Sequence, residues 1–413
     1  MLLATPNILI TVAALIAALP FCLRRGLAES GHLPHFLTTI YYTPLLATSL
    51  AATPLMYLAN RRPSRYAMAV IVMLSSLLAT LFWLAGVGAA YWVGAPVIMG
   101  GATLGIACLG ASILGGNMRT IFATAAIPVN MGLAGTLLKY TVALHPKTLD
   151  LMLYAFDETL GGEPCFWMGR LFAQCELLRN SAFLAYILLP VALSFANLFE
   201  QGLVADGILA QFVAFGIVGS LAYNLFPAAG PTVSFAGAFP FSPPSIKFLS
   251  VAPMLLLSGV RNAMPSLHMA WALLLFWHSR PWRAEVRAVF ALFLALTMAA
   301  TLGLGEHYLI DLVVAFPFAL AVRAAFARKI GTSVTGAATM CLWMFLLRNR
   351  ALISHPNPWL NWLLVILTVG SSWWLDRGLV SPRTNAANTS WFGAAVWPLT
   401  GASAKSRPYP CSN

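Results

Sequence analysis

Charge is what this sequence has least of. Only 9% of its 413 residues are Asp, Glu, Lys or Arg, against roughly 25% in a soluble globular domain. With 60% hydrophobic residues, that shortage excludes a water-soluble fold. Acids are scarcest, 12 against 24 Lys and Arg, for a net charge of +12. The basic residues stand in short loops between apolar runs, where they set topology. No nucleic-acid motif accompanies them, and no nucleic-acid partner is expected. Paired cysteines are missing as well. Cys22, Cys108, Cys165, Cys175, Cys341 and Cys411 form no CxxC, so neither a zinc ribbon nor a redox dithiol is supported. The apolar runs do not alternate with polar residues, which argues against a transmembrane barrel.

What remains is a succession of apolar runs long enough to cross a hydrocarbon layer of about 30 Å as helices. The predicted spans are 8–23, 36–59, 66–91, 95–115, 120–138, 182–199, 208–225, 265–279, 288–304, 307–326, 334–347 and 358–375. The fold class is therefore all-α, a polytopic membrane bundle of about 12 helices. The run 8–23 has no basic segment before it and no small-residue cleavage site after it, and reads as a retained first span.

Two long connections interrupt the spans. Residues 139–181 carry Leu149, Met152, Leu153 and Phe156, then Phe166, Trp167, Leu171 and Phe172 after Gly161-Gly162-Glu163-Pro164. That spacing predicts short helices on the membrane surface. Residues 226–264 are rich in Pro, Gly and Ser. Arg61, Arg62, Arg65, Arg119, Arg280, Arg283, Arg287, Arg323, Arg328, Lys329 and Arg377 fall on one side of the spans, which is then cytoplasmic. Arg24 and Arg25 are the exception. Both long connections are expected on the non-cytoplasmic side and both chain ends inside. Cys165 and Cys175 lie in that outer stretch, where a local disulfide stands beside the alternative of two buried thiols. The division expected is 1–138 as an N-terminal bundle, 139–181 as an interfacial segment, 182–330 as a core, 331–380 as C-terminal helices and 381–413 as a cytoplasmic tail.

Ionisable groups at membrane depth are costly, so the few present are candidates for chemistry. One stretch is Arg261-Asn262-Ala263-Met264-Pro265-Ser266-Leu267-His268. Pro265 suits the first turn of a helix, and the free N–H groups there, beside Ser266 and His268 and near Arg261, would welcome a phosphate. The plainer reading is a capped helix with an incidental histidine. The other stretch is Gly305-Glu306-His307-Tyr308-Leu309-Ile310-Asp311. His307 and Asp311 are four apart and share a helix face, so the carboxylate can hold one ring N–H and leave the other nitrogen to attack. The plainer reading here is a hydrogen bond tying two helices together, and Glu306 reads as a solvated neighbour. The predicted topology brings both stretches to one membrane face.

Together these residues resemble the type 2 phosphatidic acid phosphatase superfamily. Met264-Pro265-Ser266-Leu267-His268 is similar to its second motif and Gly305-Glu306-His307-Tyr308-Leu309-Ile310-Asp311 to its third. Tyr223-Asn224-Leu225-Phe226-Pro227-Ala228-Ala229-Gly230-Pro231 resembles a proline-rich loop of the inositolphosphotransferase branch. The likeness covers residues 180–330. It implies a phosphatase-type catalytic core in the C-terminal half, with His307 as nucleophile, Asp311 orienting it and His268 as acid and base. It also implies Ser266 on the phosphate oxygens, a lipid phosphate as substrate among membrane lipids, and no metal or other cofactor. The family's Lys and Arg-Pro motif is not found, and its Ser-Arg pair falls on Ala300 and Thr301. Arg261 and Lys247 are the basic residues placed to substitute. Transfer to a hydroxyl is favoured slightly over hydrolysis.

Two other classes fit the composition. A helix count of about 12 suits a secondary transporter relaying protons through His and Asp, although the halves show no repeat. His268, His307 and Asp311 are also a possible metal-ligand set.

Overall fold

The computed structural model describes residues 141–199, 207–248, 250–354 and 357–379, together with Ala52, Ala126, Ile127, Asn130, Met131 and Leu138. The spans expected between 8 and 138 and the expected tail lie outside the described residues. In chain order come strand β1 (Lys147–Thr148) and helices α1 (Asp150–Thr159), α2 (Pro164–Gln174), α3 (Glu176–Ile187), α4 (Leu189–Phe199) and α5 (Ile208–Ala222). They are followed by a single turn α6 (Pro231–Ser234), a 3-10 turn (Ile246–Phe248) and strand β2 (Met254–Leu255). Helices α7 (Leu267–Ser279), α8 (Ala284–Gly303), α9 (Leu309–Phe326), α10 (Ile330–Arg348) and α11 (Pro358–Arg377) complete the order. The chain is predominantly helical. Among the described residues one ribbon pairs β1 and β2 antiparallel, Lys147 opposite Leu255 and Thr148 opposite Met254, and so ties the two long connections together.

Local chemistry explains the boundaries. Pro164 and Pro358 open α2 and α11, where a missing N–H costs nothing. Helix α1 gives out at Gly161 and Gly162, both at positive φ. Pro265 falls two residues before the first residue of α7 rather than opening it, because Ser266 takes the N-cap and its Oγ accepts from the Met269 N–H. The run predicted as one span over 182–199 is two helices, α3 and α4, bent by 55°. Pro190 offers no N–H to the carbonyl four residues back, and the helix breaks there.

Helices α7 and α9 are apolar on every side and form the centre of the bundle, as all-round hydrophobic helices must. Nearly all of α7 is buried, as is most of α9. Helix α10 lies close on α9: a Cβ at Gly336 would come within 2.7 Å of the Pro317 carbonyl oxygen. Helices α8, α10 and α11 leave much of their apolar surface outward, including Leu292, Phe345, Trp359 and Trp374, where lipid would meet it. Among the described residues three helices, α8, α9 and α10, are long and apolar enough to cross a membrane, or four if α3 and α4 count as one broken span. Helix α1 packs into the protein, with Met152, Leu153, Tyr154, Ala155 and Phe156 buried against the core.

Candidate active site

The two motifs meet at the N-terminal ends of α7 and α9. The Ser266 N–H donates to the Asp311 carbonyl at 3.3 Å, joining the helix starts directly. His307 is buried, and its Nδ1 lies 2.8 Å from the Ala263 carbonyl oxygen. A carbonyl can only accept, so Nδ1 carries the proton and Nε2 is left with its lone pair. Asp311 Oδ2 stands 3.7 Å from the same Nδ1, within ion-pair range but behind the carbonyl. That oxygen also accepts the Tyr308 N–H at 2.8 Å, so Asp311 caps its own helix and sets a negative charge beside the imidazole.

The backbone around His307 is tightly held. Its N–H and that of Glu306 both donate to the Thr301 carbonyl, at 3.1 and 3.2 Å. The position that departs from the family pattern thus carries the peptide that seats the histidine. The Ala263 peptide is fixed from behind, its N–H donating to Ala228 at 3.0 Å. His268 lies flat against Tyr186, near enough to His307 for that histidine's charge to act on it.

Two carboxylates that the sequence reading passed over complete the frame. Asp150 accepts from the N–H groups of Ala229 and Gly230, at 3.1 and 2.8 Å, and lies 3.1 Å from the Tyr308 hydroxyl. It therefore pins the proline-rich loop to the third motif. Asp157 accepts from the Leu309 and Ile310 N–H groups at 2.6 and 3.1 Å, filling the N-terminus of α9 with negative charge. The only warning in the sequence is that acids are so few. Gly230 sits at φ +95° with the Glu306 carbonyl oxygen 2.3 Å from where a Cβ would be, so a side chain is barred there.

The expected phosphate ligands are placed differently from one another. Arg261 is fully buried, and its guanidinium donates to the carbonyls of His145, Leu256, Ser258 and Gly259. All three of its side-chain nitrogens donate to carbonyls of the two long connections. Ser266 is buried with its hydroxyl on the α7 cap. Lys247 is exposed and acts electrostatically on Glu158. Glu306 is part-buried beside His307, and burial pushes its carboxyl up to about 7 against the opposing pull of the histidine. Cys165 and Cys175 are both free thiols. Among the described residues no group of three or more His, Cys, Asp or Glu side chains is arranged to hold a metal ion.

Residues 151–325 match the family model described as PAP2 superfamily. The match takes in both motifs, Asp157 and Tyr186, and starts one residue after Asp150. No curated protein and no solved structure matches the chain. This stretch is thus similar to PAP2 superfamily domains, a likeness that suggests phosphatase-type chemistry, and it lies among apolar helices suited to a membrane.

Proposed function

We propose that this protein is a membrane-embedded lipid phosphatase or phosphotransferase that works through a phosphohistidine at His307, in the inositolphosphotransferase-like branch of its superfamily. One observation carries the reading. The Nδ1–H of a buried histidine is fixed on the Ala263 carbonyl, with the Asp311 carboxylate 3.7 Å away. That arrangement presents Nε2 as a nucleophile and compensates the positive charge that develops when it attacks phosphorus.

The steps balance as follows. Nε2 of His307 forms a bond to phosphorus while the bond to the leaving oxygen breaks, and His268 gives that oxygen a proton. In the second half an acceptor hydroxyl, or water, loses its proton to His268 as its oxygen bonds to phosphorus and the P–N bond breaks. Of the two helix N-termini at the site, α9 is filled by Asp157 and Asp311, so the first turn of α7 is the one left to hold non-bridging oxygens. With Arg261 committed to the two long connections, backbone N–H groups and Ser266 carry more of the phosphate there. We place the reaction at the non-cytoplasmic face and the donor among lipid phosphates.

Purified protein in detergent should release or transfer phosphate, or a phospho head group, from at least one of phosphatidic acid, polyprenyl pyrophosphate, phosphatidylinositol and phosphatidylglycerol. His307→Ala should abolish turnover while the far-ultraviolet circular dichroism stays unchanged. Full turnover in that variant sinks the mechanism.

A further inference from the structure

The imidazole of His268 and the phenol ring of Tyr186 are stacked, centroids 3.8 Å apart and planes 13° from parallel. Trp271, in the next turn of α7, meets the same imidazole edge-on at 5.9 Å. Tyr186 is fully buried in a small core of its own with Phe172, Ala182 and Ala300, contributed by α2, α3 and α8. Phe172 is itself wedged in place, since a Cβ at Gly303 would come within 2.4 Å of its ring. The slab against which His268 lies is therefore rigid. It also belongs to a helix outside both motifs, and α3 breaks at Leu188 just beyond it.

A histidine at a helix start has a broad choice of ring orientation, because its second side-chain torsion is soft. Stacking removes that freedom: one face of the imidazole is covered, and the N–H groups are confined to a single plane.

We propose that Tyr186 is the positioning residue for proton transfer, holding the His268 ring in the plane from which it protonates the leaving oxygen. The proposal rests on His268 acting as the acid, as read above. Its consequence depends on the leaving group. An alkoxide leaving a glycerol or other alkyl ester must receive the proton as the P–O bond breaks, whereas a nitrophenolate departs without one. Loss of the slab therefore slows alkyl esters far more than aryl esters.

The test uses the full-length protein in detergent with dioctanoyl phosphatidic acid and p-nitrophenyl phosphate. Tyr186→Leu and Tyr186→Met, the second filling the volume without a ring, should lower kcat/KM, which reports the steps up to cleavage of the leaving group, about 100-fold on the alkyl ester, the lower end of what a positioned acid contributes. On the aryl ester the loss should be at least about 10-fold smaller. Tyr186→Phe, which keeps the stack, should recover most of the wild-type ratio. Equal losses on both esters, no loss on either, or a Phe variant as impaired as the Leu variant would overturn the proposal. A wild type inactive on both esters overturns the Tyr186 proposal, which is stated for these phosphomonoesters, without touching the phosphohistidine reading, whereas a His307→Ala variant as active as wild type removes both.

Discussion

Asp311 was expected to take the ring N–H of His307, and the nearer acceptor is instead the Ala263 carbonyl. The spacing of four was legible in sequence; the carbonyl was not, since its position depends on Asp150, Ala228 and a loop more than a hundred residues from α1. Side chains that act through backbone leave no periodicity. Glu163 is a second example. It is buried at the start of α2, and burial, then the charges of Asp157 and Glu158, push its pKa up to about 9 against the opposing effect of Tyr154. In the unfolded chain a glutamate titrates near 4.3, about. Between those values the folded state holds a proton that the unfolded state has lost, so stability falls as pH rises. From pH 6 to 8 the fall is on the order of 2 kcal/mol. Thermal unfolding in detergent should therefore show a midpoint that declines over this window in wild type and declines less in Glu163→Gln, where the amide stands in for the neutral acid. Parallel pH dependence in the two proteins would mean that Glu163 is ionised in the folded state.

At the scale of helices, the far ends of α7, α9 and α11 are fastened by one carboxylate. Asp376 is fully buried and pairs with Arg280, at the end of α7, and with Arg323, near the end of α9. The arginines lie over aromatic rings, Arg280 4.7 Å from the centroid of Trp373 and Arg323 5.2 Å from that of Trp277. The surplus positive charge falls where three helix C-termini converge, which favours cations. This clasp joins α11, beyond the family match, to the two helices that carry His268 and Asp311. Asp376→Asn leaves two neighbouring cations without their counter-ion and should cost about 3–5 kcal/mol, whereas replacing all three residues by Met, Met and Leu should come close to neutral. Unfolding midpoints of the two variants decide it; a harmless Asp376→Asn would mean water already reaches the arginines. The helices were legible because their apolar runs are long: α5, α8, α9, α10 and α11 begin and end within about four residues of the predicted bounds. The clasp was read only as topology-setting charge. The break between α3 and α4 was missed because an apolar run hides a proline that interrupts only one hydrogen bond.

Across the whole molecule the clasp and the histidines mark two levels. Arg280 follows His268 by twelve residues along α7, and Arg323 follows Asp311 by twelve along α9, which at 1.5 Å per residue places the levels about 18 Å apart. A hydrocarbon core is about 30 Å thick. With the arginines at the cytoplasmic boundary, where the positive-inside rule puts them, the histidines sit some 10 Å, roughly, below the opposite boundary. On that placement a phosphate would have to be drawn down from the headgroup layer to react, with the loop from Pro231 to Met264 above it. Helix α11, with 20 residues, is long enough to cross the whole core. The orientation can be tested directly in cells expressing the chain with its six cysteines replaced by alanine. Ser242→Cys lies exposed in the loop above the site, and Glu285→Cys lies exposed just past the clasp. A membrane-impermeant maleimide should label Ser242→Cys in intact cells and reach Glu285→Cys only after permeabilisation. The reverse pattern would put the histidines at the cytoplasmic face and break the link between loop arginines and topology on which the proposed orientation depends.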